Sequence, residues 1–313
     1  MTALFEHALL LHRQHPDGPL PRDGEPHPDQ ARRGRSPSSD RDRRRDGADA
    51  AAILDAHFAR PDAPPSDLGD AFDDVYVPIH RNDHIAAAAL RADRERVRRT
   101  GRWLVRHGTH RNAVTVGLGL LATDWDDGDI PLIQTIGLLS DTFGALAAEA
   151  LQRRRHGAQA LVWLAERVAG WGRVYVVEAL CRRGSSEARE WLLRHACDGD
   201  YLNGYFAGEV ATVTHLHAAI LVPDADDDLV DHTGRLLLVM TYCGGMGMTL
   251  QTYPPALAVL AAHAGHLARQ APTAPRHRTA GAIAENLAKH ERWNDIVRQY
   301  RAVLDRPEWA IHA

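Results

Sequence analysis

The sequence predicts an all-α chain, folded as a right-handed α-solenoid of tandem antiparallel helix pairs. Three observations predict it. The phrase Arg102-Trp103-Leu104-Val105-Arg106-His107 returns as Val162-Trp163-Leu164-Ala165 and as Glu190-Trp191-Leu192-Leu193-Arg194-His195. A companion phrase, Leu146-Ala147-Ala148-Glu149-Ala150-Leu151, returns as Tyr175-Val176-Val177-Glu178-Ala179-Leu180 and, more loosely, as Val116-Gly117-Leu118-Gly119-Leu120-Leu121. The two phrases alternate at a spacing of roughly 28 to 30 residues, the period of helix pairs that bury their apolar faces only by stacking on one another.

Residues 1–70 are expected to be a largely disordered arm with one or two short helices. Leu4 to His12 is capable of helix, and Ala50 to Arg60 reads as a second helix closed by Pro61. Between them lie a Pro/Gly/Asp stretch from Pro16 to Asp29 and an arginine-rich run from Arg32 to Arg45. That run has no apolar residue to offset the entropy of ordering it. It suits a flexible polyanion-binding arm or a solvated linker; Asp40, Asp42, Asp46 and Asp49 dilute its charge and favour the linker.

Residues 71–222 are assigned to the solenoid. Apolar residues at 161, 164, 165 and 168 form one stripe at helical spacing, and Ala188, Trp191 and Leu192 restate it with His195 in the fourth place. Breaks at Asp126-Asp127-Gly128-Asp129, Arg155-His156-Gly157 and Gly184-Ser185-Ser186 place helices near 84–107, 111–123, 130–140, 143–154, 158–169, 171–183 and 186–197. After Cys197 the rhythm loosens. Residues 201–222 read as one helix pair or one interrupted helix, and residues 223–313 as an atypical helical cap continuous with the solenoid. The cap is expected to hold a buried helix over 229–240, a glycine-rich loop over 242–248, and helices near 254–269, 275–291 and 293–305.

With 44% apolar residues in 313, the chain has enough to build a core, and its net charge of −4 argues against a dedicated nucleic-acid binder. Its basic residues are arginine except for Lys289, and with the wealth of Ala, Gly and Asp this looks like the codon bias of a high-GC bacterium. Arginine clusters are therefore weak evidence of a site. No apolar run approaches the roughly 18 residues of a membrane span, and no signal peptide is expected. Cys181, Cys197 and Cys243 are odd in number and lack Cys-x-x-Cys spacing, which points to a reducing cytoplasm.

The phrases GALAAEAL and WGRVYVVEAL, the latter followed by EAREWLLRHA, resemble short bacterial HEAT-like repeats over roughly residues 80 to 220. They look like an uncharacterised bacterial HEAT-repeat family, some members of which carry an automatic label of limonene hydroxylase; Trp171-Gly172-Arg173 is the most specific part of the match. No haem-thiolate setting, flavin fingerprint or iron triad accompanies that label, so the resemblance implies a fold, and no cofactor or metal is expected.

Several patterns invite chemistry and fall short of it. His80-x-x-x-His84 and His263-x-x-His266 have the spacing of paired metal ligands but lack the glutamate of a His-Glu-x-x-His motif and an identifiable third ligand. Asp224-x-Asp226-x-Asp228 begins like a calcium loop, yet Leu229 stands where the turn needs glycine and Arg235 where the bidentate glutamate belongs. No serine sits in a Gly-x-Ser-x-Gly elbow. Cys181 and Cys197 fall on or beside apolar repeat positions, as core thiols do.

The strongest candidate for binding is the cluster Trp171, Arg173, Tyr175 and Glu178, on the second helix of a repeat, the helix that usually lines a solenoid's inner curve. The plain alternative is that Trp171 packs between repeats and Arg173 pairs with an acid. The solenoid architecture, which presents an extended surface, favours a non-enzymatic scaffold that binds another protein or a peptide. A HEAT-like DNA glycosylase or other nucleic-acid-processing protein is one rival, with Trp163, Trp171 and Glu178 in its site and Arg153, Arg154, Arg155, Arg182 and Arg183 on phosphates. The other rival is a small-molecule enzyme using Asp231, His232, His263 and His266.

Overall fold

The computed structural model describes residues 2–32, 42–184 and 186–312, so most of the run from Arg32 to Arg45 lies outside the described residues. Every regular element among the described residues is helical, and the chain is all-α. It divides into two compact units, Met1–Arg183 and Gly184–Ala313.

The first unit contains α1 (Leu4–Gln14), α2 (Ala48–Phe58), α3 (Asp83–Arg91), α4 (Arg94–His107), α5 (Arg111–Leu121), α6 (Ile130–Gly137), α7 (Ser140–Gln152), α8 (Gly157–Ala165) and α9 (Gly170–Arg183). Helix α4 packs on α5, α6 on α7 and α8 on α9, each pair joined by a short link. The second members contact one another in series, α5 on α7 and α7 on α9, and so do the first members, α4 on α6 and α6 on α8. The helix expected over 84–107 is two helices. Ala92 and Asp93 are extended, and the Asp93 carboxylate accepts the Arg96 amide at 3.0 Å, a cap that starts α4 afresh.

Gly172 explains part of the Trp-Gly-Arg phrase. A Cβ at that position would lie 2.1 Å from Ser140 Oγ, so α9 can approach the start of α7 this closely only through a glycine.

The described part of residues 1–70 is folded onto the unit. Helix α1 lies against α4 and α6 with Leu4 and Ala8 fully buried, and α2 packs on α3 with Ala50 and Leu54 in a core shared with Phe72, Leu104 and Leu120. The Pro/Gly/Asp stretch between them is pinned by two carboxylates. Asp23 accepts the Ser140 amide (2.8 Å), the Ser140 hydroxyl (2.6 Å) and the Asp141 amide (2.8 Å), capping α7. The buried Asp29 accepts the Arg111 amide, Nε and Nη2, each at 2.9 Å. The partners stand 117 and 82 residues away along the chain, beyond anything local composition reveals.

The second unit contains α10 (Ser186–His195), α11 (Ala207–Val213), α12 (Leu216–Ile220), α13 (Asp227–Tyr242), α14 (Ala256–Leu267), α15 (Ala274–Leu287), α16 (Asn294–Leu304) and α17 (Pro307–Ala310). Helix α13 is central, touching α10, α11, α14 and α15, while α16 closes on α14 and α15. Trp293, Tyr300, Phe206 and Trp309 fill the interior. The acidic break is a capping loop: Asp226 accepts the Leu229 amide at 2.8 Å and the Arg194 guanidinium at 2.6 Å.

Candidate functional site

Helices α5, α7 and α9 carry the companion phrase in register. Gly119, Glu149 and Glu178 hold the same place in it, Val116, Leu146 and Tyr175 stand three residues earlier, and Thr123, Arg153 and Arg182 four residues later. The repeat thus sets the same helical face three times. On α7 and α9 each glutamate pairs with the arginine one turn on, Glu149 with Arg153 at 3.2 Å and Glu178 with Arg182 at 3.5 Å. Glu149 also takes Arg81, from the segment before α3, at 3.3 Å.

Two hollows open on this face. One lies between α3 and the α5 and α7 surface, with Ile85, Leu90, Ala122 and Leu146 as its apolar wall and Thr115 and Gly119 beside them. The other is lined by His80, Arg81, Glu149, Tyr175, Glu178 and Arg182. His80, Arg81 and Glu149 border both, so the hollows are one groove with an apolar end and a charged, aromatic end. Gly119 makes the apolar end: where α7 and α9 carry a carboxylate it carries no side chain, and a Cβ there would already stand 3.3 Å from Ile85 Cγ2.

Three of the four residues selected from sequence gather at the charged end or beside it. The Tyr175 ring stacks on Trp171 (centroids 6.0 Å apart, 24° between planes) and meets His80 edge-on at 5.4 Å. Burial, with smaller contributions from the Asp141 and Glu178 charges, pushes the Tyr175 phenol above its ordinary value, so it stays a neutral donor. Trp171 is 40% exposed, and Glu178 lies in the groove wall. Arg173 is elsewhere: it is 9% exposed and donates from Nη1 to the Ala165 carbonyl at 2.8 Å, at the C-terminal end of α8. His80, Arg81, Gly119 and Glu149 were not selected as binding residues from sequence. The signal was present in the register of the phrase, where glycine replaces glutamate once in three.

The residues of the rival readings are placed apart. Of the five arginines cast as phosphate contacts, Arg154 is fully buried and donates to the Leu121, Asp124 and Ala150 carbonyls at 2.6–3.0 Å. Arg183 donates to the carbonyls of Gln152, Arg154 and Arg155. Arg153 and Arg182 serve the groove glutamates, and Trp163 packs on His12 and under Arg167. The histidines of the C-terminal half diverge as well. His232 accepts the Cys197 amide at 2.8 Å, His263 Nδ1 meets the Tyr300 hydroxyl at 2.7 Å, and His266 Nε2 meets the Ile220 carbonyl at 2.8 Å. Asp231 is held by Arg276 at 2.7 Å. Burial, then the neighbouring His266, pushes His263 down to about 3, so it is neutral at physiological pH.

His84 Nε2 lies 3.0 Å from the Arg44 carbonyl while His80 faces Tyr175, and the described residues hold no group of three or more His, Cys, Asp or Glu arranged for a metal ion. All three cysteines are buried and none is in a disulfide. No helix among the described residues is long and apolar enough to cross a membrane. No family model matches the chain, and no curated protein or solved structure matches it.

Proposed function

We propose that the stacked pairs α4/α5, α6/α7 and α8/α9 form a HEAT-like α-solenoid whose inner face binds an extended peptide segment of another protein, without catalysis. The observation that carries this reading is the continuity of the groove across α5, α7 and α9, built from one sequence position repeated in register. An extended ligand can run along such a ladder and meet each helix in turn.

The lining specifies the ligand. The apolar end accepts one large hydrocarbon side chain. Along the groove as a whole Arg81, Arg153 and Arg182 line the wall with two carboxylates, Glu149 and Glu178, and the one additional guanidinium favours an acidic residue on the peptide. The Trp171–Tyr175 stack beside the groove supplies the rigid aromatic surface that peptide contacts favour. Three buried cysteines suit a cytoplasmic setting.

Selection of a displayed random-peptide library on the full-length protein tests the reading. It is expected to converge on a large aliphatic or aromatic residue followed, at a fixed short spacing, by Asp or Glu. The selected peptide is expected to lose at least tenfold in affinity for Gly119→Leu, which fills the apolar hollow, and for Arg81→Glu. Absence of a consensus, or a consensus indifferent to both substitutions, would overturn it.

A further inference from the structure

The second unit holds a cavity that the groove reading leaves unused. It measures about 130 Å³, is open on one side, and lies among α13, α14 and α15. Arg235 stands in its wall, half-buried, with its Nε shielded from solvent and without a hydrogen-bond partner among the described residues. A shielded guanidinium donor without an acceptor is rare in folded proteins.

The reason Arg235 is unpaired lies in its neighbours. Asp231, one turn earlier on α13, is its natural partner, but Arg276 takes that carboxylate side-on, Nε to Oδ1 at 2.7 Å and Nη2 to Oδ2 at 3.1 Å. Asp227 is held by Arg276 at 2.8 Å and by Gln270 at 2.7 Å. Arg276 thus holds both carboxylates, and the shielded Arg235 Nε is left without an acceptor. Leu267, Pro275 and Thr279 complete the lining. His263, also in the wall, is engaged with Tyr300 and adds no charge.

We infer that this cavity binds a small organic monocarboxylate, its two oxygens on the Arg235 Nε–Nη fork and its hydrocarbon part against Leu267 and Pro275. The Nε without an acceptor offers a carboxylate a charge-assisted hydrogen bond, and the fork matches a carboxylate's geometry better than a spherical anion's. The apolar wall adds a preference for a ligand with a body over acetate or a bare inorganic ion.

The test is a titration of the full-length protein with benzoate, acetate and inorganic phosphate at constant ionic strength. It is read by thermal shift and by perturbation of the Gly234 and Thr279 amide resonances. Benzoate is expected to raise the melting temperature saturably and to shift both amides, with an apparent Kd at least tenfold lower than that of acetate or phosphate. Arg235→Gln is expected to raise the benzoate Kd at least tenfold, Arg235→Lys to recover only part of it, and Arg278→Gln, an exposed control on α15, to leave it unchanged. Should Arg235→Gln fail to fold, the wild-type amide shifts decide. No saturable benzoate response, an equal response to phosphate, or an equal response in a folded Arg235→Gln would overturn the inference.

Discussion

Arginine is the residue that separates local pattern from structure in this chain. Arg153, Arg154 and Arg155 are consecutive, yet only the first serves the groove; the second is buried on carbonyls at the ends of α5 and α7, and the third gives its amide to Asp127 at 2.9 Å. Arg173 shows the same effect, since its neighbours Trp171 and Tyr175 stack beside the groove while its own side chain reaches the end of α8. Arg173→Glu would place a carboxylate against a helix C-terminus and bury it, at a cost of about 3 kcal/mol, measurable by urea denaturation. Trp171→Ala, at a 40% exposed position, is expected to change stability by less than about 1 kcal/mol and to weaken the selected peptide. Nothing in the sequence separates the two residues, because helical position alone does not say which neighbour lies under a long side chain.

Elements were legible wherever apolar spacing defined them. The helices expected near 111–123, 171–183 and 229–240 are α5, α9 and α13 within a few residues, and α5, α7 and α9 share the repeated phrase that builds the groove. The break between α3 and α4 was missed because helical residues continue on both sides of it, and the cap at Asp93 decides where the chain turns. The described part of the N-terminal segment between α1 and α2 has no such apolar spacing: Asp23 and Asp29 hold it through hydrogen bonds to partners 82 to 118 residues away along the chain, and a disordered stretch has the same composition. Asp29→Ala would leave Arg111 half-covered without its carboxylate. A loss of roughly 3–5 kcal/mol and protease cleavage between α1 and α2 are expected, and limited proteolysis with mass spectrometry reads the site. Gly172→Ala forces α9 away from Ser140 at about 1–3 kcal/mol, and Ser140→Gly in the same chain is expected to restore part of it.

At the scale of the molecule, buried histidines set the response to acid. Burial holds His27 and His57 below their ordinary range and pushes His263 down to about 3, whereas in the unfolded chain all three titrate near 6.5. Between those values the unfolded chain takes up protons that the folded chain refuses, so stability is full above about pH 6.5 and is lost as pH falls. Asp23, raised to about 6 chiefly by burial, opposes this with one proton taken up by the folded state between about pH 6 and 4, and three histidines outweigh it. The melting temperature is expected to fall from pH 7 to pH 4.5, and less steeply in His263→Gln. The proposed peptide-binding role rests on the groove across α5, α7 and α9. Its most direct measurement is calorimetric titration of the library-selected peptide into the wild type and into Gly119→Leu, with matched thermal unfolding curves for the two proteins. A tenfold or greater loss of affinity in a Gly119→Leu protein that still unfolds cooperatively is the predicted result, and equal affinity for the two proteins would contradict it.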